Sequence, residues 1–415
     1  MKKYLRHPVV KNALALYSVQ FAEYLLPMIT IPYLARILHP DGWGKVVYAQ
    51  NFSMWIVLVL EYGFGFSASR EIARHRDNPQ RHAEFASGVL GGNLLLMVPA
   101  AILVVVARFT APQFREDPSY LWLAAGVAVV AAFRPFWYFQ GIEKMTFPAW
   151  TNVLGRFLYA AGIFLFIHSQ GSAWLVLGLQ GISGIAITAI LLGSMYRQIP
   201  FQPPSLANAL PALKAGWTIF LSRSATSLYT LANTFILGLF VAPAAVAYYG
   251  GAERVVLAVI GLMTPFTQAL YPRMSHLAVS DQGKAASALS MGLRVFTLIG
   301  VVVGAIVFAS APLVVRILLG KAYAPAAGIL RVAALIIPLV AVSNILGMQW
   351  MLASGMDRVF SRISLVAGVL NVFLATFLSW KFGAIGTAWS IVAAQGFVTF
   401  TMVVLYFRSK PGLAS

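Results

Sequence analysis

The chain has 415 residues, of which 60% are hydrophobic and only 10% charged, and it carries a formal charge of +18 with no cysteine. Soluble domains carry about 25% charged residues, so a soluble multidomain protein is excluded; the lack of cysteine excludes disulfides, cysteine-ligated zinc, iron–sulfur clusters and thiol nucleophiles. Such a basic balance would suggest nucleic acid in a soluble chain, but there is no dense basic tract, zinc-finger spacing or helix-turn-helix pattern. The apolar residues fall instead into runs of about twenty, each long enough for a ~30 Å hydrocarbon core, and the mean hydropathy is +0.79. The chain reads as a polytopic all-α membrane protein that meets lipids and no nucleic acid.

Twelve spans are predicted, at 12–37, 46–66, 85–107, 120–139, 149–168, 173–195, 216–241, 247–271, 288–309, 325–352, 361–380 and 386–407. Lys2, Lys3, Arg6 and Lys11 precede an apolar run too long for a removable signal peptide, which predicts a retained first helix. Pro27 and Pro32 in that helix, with Pro265 and Pro272 in or just beyond the eighth, predict bends suited to a gate. Arg36, at the outer end of the first span, is expected to serve the fold or a gate. The pairs Gly88/Gly92 and Gly300/Gly304 are read as close-packing points within a lobe. An even number of spans leaves both termini on one side. That side collects seventeen Lys and Arg against six opposite, so both termini are expected in the cytoplasm.

The remaining seven basic residues, Arg36, Arg134, Arg156, Arg223, Arg254, Arg294 and Arg331, lie within or at the edges of spans, and all are arginine. An arginine at a helix centre costs roughly 2.5 to 3.5 kcal/mol on insertion scales, so each is expected to face a wet cavity, an anion or a partner, or to snorkel to a headgroup. A guanidinium stays protonated and binds phosphate oxygens through two parallel bonds, which suits a polyanionic substrate. Arg134, Arg156, Arg223 and Arg294 are expected in the cytoplasmic half, and Arg254 and Arg331 nearer the outer ends. Arg223, Arg254, Arg294 and Arg331 are expected to act as a set. Three acids, Glu23, Glu61 and Glu253, fall well within spans. Desolvation favours proton uptake by such carboxylates, making Glu23 and Glu61 candidates for ion coupling; a salt bridge to an intramembrane arginine is the alternative for each. The six histidines show no ligand spacing, and there is no P-loop, dinucleotide fingerprint or nucleophile elbow. No catalytic residue, metal or cofactor is expected, and ATP is not the direct energy source.

The chain also repeats itself. Lys11, Pro40 and Ala49 recur as Lys214, Pro243 and Ala252 at an offset of 203; Gly141, Glu143 and Lys144 correspond to Gly355, Asp357 and Arg358 at 214; Ala173, Trp174, Gln180 and Gly181 match Ala388, Trp389, Gln395 and Gly396 at 215. Duplication of a six-helix unit, with one insertion of about eleven residues between the eighth and tenth spans, explains the set. Six is even, so both halves insert alike. Lobes are expected at 1–200 and 201–415, with a central cavity.

The strings Pro27-Met-Ile-Thr-Ile-Pro32-Tyr-Leu-Ala-Arg36, Pro40-Asp-Gly-Trp-Gly44 and Glu61-Tyr-Gly-Phe-Gly-Phe-Ser-Ala-Ser-Arg70-Glu-Ile-Ala73 resemble the N-terminal signature of the polysaccharide transporter family. Its Wzx-type members are flippases for O-antigen and related lipid-linked oligosaccharides. Phe136-Trp-Tyr-Phe-Gln-Gly141-Ile-Glu-Lys144 and Tyr248-Tyr-Gly-Gly-Ala-Glu253-Arg254 are also similar to family patterns. The resemblance implies the twelve-helix, two-lobe, MATE-like fold of the multidrug/oligosaccharidyl-lipid/polysaccharide exporter superfamily, alternating access, and a bacterial inner membrane location. The implied substrate is a glycan on an undecaprenyl pyrophosphate carrier, moved from the cytoplasmic to the periplasmic leaflet. Related lipid II flippases usually add two helices for which this chain has no length. A multidrug cation antiporter of the same superfamily should line its cavity with acids. A glycosyltransferase, polymerase or ligase on the same carrier should bring a large outer loop with catalytic acids, where this chain has only Glu116 and Asp117 on a short connector. Glycan identity, coupling ion and any complex with polymerase and chain-length proteins stay open at this point.

Overall fold

At membrane depth the backbone must satisfy its own hydrogen bonds, and α-helices do so within one segment. The structure, a computed structural model, is predominantly helical and has no strand among its described residues. It describes the backbone from Pro8 to Ser409 except for short stretches within 264–279, and side chains from Leu26 onward except in those stretches and at 222, 225, 226, 228–230 and 282. The Glu23 side chain, Pro265 and Pro272 lie outside the described residues.

Two units emerge, 1–224 and 225–415. The first holds α1 (Pro8–Glu61), α2 (Phe64–Arg74), α3 (Pro79–Thr110), α4 (Pro112–Glu116), α5 (Pro118–Ala132), α6 (Phe136–Gly141), α7 (Thr146–Phe166), α8 (Trp174–Tyr196) and most of α9 (Leu206–Thr230). The second holds α10 (Ala232–Gly238), α11 (Pro243–Gly261), α12 (Gln282–Leu318), α13 (Ala326–Ala334), α14 (Ile336–Asn344), a π-helix at Ile345–Leu352 and α15 (Asp357–Arg408). Nine helices among the described residues are long and apolar enough to cross a membrane. Two of these hold a pair of predicted spans each. The 54 residues of α1 break at His39 (φ 55°) and the 52 of α15 at Gly383 (φ 58°). A 20-residue helix already spans about 30 Å, so neither double helix crosses once. Pro27 and Pro32 keep helical dihedrals within α1; its break falls at His39, before Pro40, where proline disfavours the helical conformation of the preceding residue. Arg36 is exposed three residues earlier.

Two of the long helices start on the same kind of cap. Asn78 caps α3, accepting from the Arg81 N–H at 3.0 Å, and Asp281 caps α12, accepting from the Lys284 N–H at 2.9 Å. These caps are 203 residues apart, the offset that relates Pro40 to Pro243. The Asp281 carboxyl, in the loop before its helix, is held below the ordinary carboxylate range chiefly by that Lys284 N–H. The helix α12 has 37 residues where α3 has 32, and the tenth span ends in a π-helix.

Inside the first unit, Phe64 and Ile72 of α2, Trp137, Tyr138 and Phe139 of α6 and the end of α8 share one core. Inside the second, the π-helix packs with α15 through Leu346, Met351, Met402 and Tyr406. Gly88 and Gly300 are points of close approach within their units. A Cβ on Gly88 would meet the Asn208 carbonyl oxygen at 2.6 Å, and one on Gly300 would meet Ala341 at 2.7 Å.

Candidate functional site

The charged cluster of the first unit is built by two interruptions. At the end of α1, Tyr62 (φ 46°) and Gly63 (φ 84°) leave the helix in the left-handed region. This kink is pressed against α9: a Cβ on Gly63 would lie 2.8 Å from Ile219, and one on Gly216 would lie 2.9 Å from the Tyr62 carbonyl oxygen. The Tyr62 ring stacks on Phe220 at 4.5 Å. Glu61 is thereby set opposite Arg223, one turn further along α9 than Ile219, and Arg223 Nη1 donates to Glu61 Oε2 at 3.2 Å. Glu61 thus makes a salt bridge to an intramembrane arginine.

The second interruption separates α5 from α6 at Phe133–Pro135. Pro135 has no N–H and disfavours helix at the residue before it, so the predicted span 120–139 is broken where sequence reading ran straight through. Arg134 therefore projects from a break. Its guanidinium lies 5.7 Å from the Phe136 ring, a cation–π distance. Its Nε is buried with no hydrogen-bond partner among the described residues. Glu61 and Arg156 both act on its charge, the first attracting and the second repelling. Arg223 thus pairs with Glu61, while Arg134 lies within electrostatic range of both Glu61 and Arg156. The Arg223 and Glu61 side chains are 42% and 38% exposed. A pair so open contributes about 0–1 kcal/mol to stability, so it can exchange partners at little cost.

The predicted C-terminal set is distributed differently. Arg223 belongs to the first unit, while Arg254 is on α11, Arg294 is exposed on α12, and Arg331 is exposed on α13 with its guanidinium 5.9 Å from the Phe308 ring.

Sequence reading missed the polar centre of the second unit. Glu253 accepts hydrogen bonds from Thr234 Oγ1 and Tyr249 Oη, both at 3.3 Å, and beside them Asn371 Nδ2 donates to Asn233 Oδ1 at 2.8 Å. Tyr249 and Glu253 are four apart in one helix, a spacing that puts them on one face, and this was the available signal. In the first unit a neutral pair, Gln50 Nε2 donating to Gln180 Oε1 at 3.1 Å, joins α1 to α8. No group of three His, Cys, Asp or Glu side chains that could hold a metal occurs among the described residues.

The comparisons agree with this architecture. A solved lipid II flippase, MurJ in an inward closed conformation, superposes with a TM-score of 0.71 over 96% of this chain and 87% of its own, at 15% identity. An outward-facing MATE family multidrug resistance transporter of the MOP superfamily gives 0.51 over 95% and 94%, at 18% identity. These likenesses show the fold, one shared with MurJ and with MATE family transporters. Residues 9–278 match the polysaccharide biosynthesis protein family, and the chain belongs to that family, the polysaccharide transporters. Relatives named "Putative O-antigen transporter" come from Escherichia coli (strain K12), 29% identical over 96% of this chain and 97% of the relative, and from Shigella dysenteriae, 28% identical over 95% and 98%.

Proposed function

We propose that the chain is a flippase that carries an oligosaccharide on undecaprenyl pyrophosphate from the cytoplasmic to the periplasmic leaflet of the bacterial inner membrane by alternating access. The observation that carries this reading is the group formed by Arg134, Arg156 and Arg223 with the Glu61 carboxylate. Such a cluster matches a ligand with several phosphate oxygens, and the buried, unpartnered Nε of Arg134 supplies a donor still to be satisfied. The named relatives support a surface glycan as cargo. A multidrug cation antiporter would need the opposite charge in its cavity.

In this reading Glu61 is the resident counter-anion of the empty site. Pyrophosphate takes over Arg223 and frees the Glu61 carboxylate, which with Glu23 is the candidate for ion coupling, so that binding is linked to ion movement without nucleotide. Arg254, Arg294 and Arg331 would meet the acidic glycan further along its path. Purified protein in liposomes is expected to move a pyrophosphate-linked lipid under a proton gradient with no ATP; transport that occurs only after ATP is added would overturn the secondary-transport reading. Membrane sidedness has its own test. Reporter fusions at Asn78 and Ser409 should be cytoplasmic and those at Gln113 and Ala322 periplasmic, and the reverse pattern would contradict the proposed orientation.

A further inference from the structure

A cavity of about 390 Å³ opens where α12 turns into α13, lined by Pro312, Val315, Arg316, Lys321, Ala324 and Ala327. We propose that it is a binding site for the headgroup of an anionic glycerophospholipid, with the phosphate held between Arg316 and Lys321.

Four observations carry this. Neither cation has an ion-pair or hydrogen-bonding partner among the described residues. Arg316 is in the last turn of α12, where a basic side chain often serves the helix end, but that end is closed without it: the Leu319 and Gly320 N–H groups both bond to the Val315 carbonyl, at 2.8 and 3.1 Å. Second, no acid is available to neutralise the pair, since no Asp or Glu occurs between Asp281 and Asp357. The corresponding connector of the first half differs: its Arg108 and Arg115 are followed by Glu116 and Asp117, and Asp117 pairs with Lys45 at 3.5 Å.

Third, the cavity stands at the head of an apolar track. Leu298, Val302, Ile306, Leu313 and Ile317 are all exposed along one side of α12, while Gly300, Gly304, Val307, Ala311 and Val315 are buried on the other. From Leu298 to Ile317 the track is about 28 Å long at 1.5 Å per residue, enough for an acyl chain in one leaflet. Fourth, the end of a membrane helix is at headgroup depth, where lipid phosphate is the abundant anion and a basic residue near the surface is worth roughly fivefold in binding.

The test is native mass spectrometry of the full chain with phosphatidylglycerol or phosphatidylcholine of identical acyl chains. The wild type should retain one phosphatidylglycerol preferentially, and Arg316→Gln with Lys321→Gln should weaken that retention roughly 30-fold. Lys381→Gln, a charge loss elsewhere in the same unit, and the exchange Arg316→Lys with Lys321→Arg should leave it intact. Should the double variant not fold, raising salt on the wild type should erode the preference. An unchanged preference in the double variant or at high salt would refute the site. Equal protection by inorganic phosphate would mean an anion site without lipid specificity, and displacement of phosphatidylglycerol by a polyprenyl phosphate would assign the cavity to the carrier; either result overturns the proposal. None of these outcomes bears on the arginine cluster of the first unit.

Discussion

Arg223→Gln is expected to lower export of surface glycan about 100-fold at unchanged protein abundance. Two things are lost: the phosphate's two-pronged donor, which is the larger part, and the cation of Glu61, an exposed pair worth only about 0–1 kcal/mol. Arg223→Lys separates the two. The present contact is a single Nη1–Oε2 bond at 3.2 Å, which an ammonium can reproduce, whereas the two parallel bonds to phosphate need the guanidinium fork. Lysine should therefore preserve the fold and still fail in export. Arg134→Lys should fail likewise, because the planar group over Phe136 is lost with the fork. The reciprocal exchange, Glu61→Arg with Arg223→Glu, gives the sharper discrimination. It rebuilds an ion pair with the charges reversed, so a purely structural pair predicts rescue, while an anion site whose counter-ion must be released predicts none. Export by the Arg223→Gln, Arg134→Gln and Arg156→Gln variants at wild-type levels would remove the cationic-cluster mechanism and leave the family assignment standing.

Gly63→Val is expected to be the most damaging single substitution at the kink that follows α1. Gly63 has φ 84°, a region that a β-branched residue enters only at a cost, and its new Cβ would be 2.8 Å from Ile219. Strain of about 1–3 kcal/mol for the backbone adds to a similar overpacking cost. The variant should show a markedly lower melting temperature. Export should be lost even in cells grown cold enough to keep the protein in the membrane, because the same kink sets Glu61 against Arg223. Gly63→Ala carries a smaller side chain into the same conformation and should fall between the two. A Gly63→Val protein with normal melting behaviour and normal export would show that the kink does not position the pair.

Much of the fold was legible because membrane helices announce themselves by length and apolarity, and because a duplicated unit offers two readings of each element. The caps at Asn78 and Asp281 fall where the offset from Pro40 to Pro243 requires. The interruption at Arg134 was less visible: an apolar run continues across it, and only Pro135 marks the break. The partnership of Glu61 with Arg223 was invisible for a different reason. The two are 162 residues apart and meet only because the kink at Gly63 packs on Gly216 and Ile219, a contact that no local pattern encodes. Grouping Arg223 with the arginines of the second half followed the sequence repeat, whereas most of α9, Arg223 included, falls in the first unit.

The polar centres of the two units have a bearing on descent. Gln50 and Glu253 are 203 residues apart, the spacing that also separates Pro40 from Pro243. One is a neutral amide answered by Gln180; the other is a carboxylate answered by a tyrosine and a threonine. A single nucleotide-scale change from amide to acid, or the reverse, would have sufficed to start this divergence, and the surrounding donors then committed each copy to its own chemistry. The halves are no longer interchangeable copies: a chain assembled from two first halves would keep the backbone plan and lose the only acid at the heart of the second.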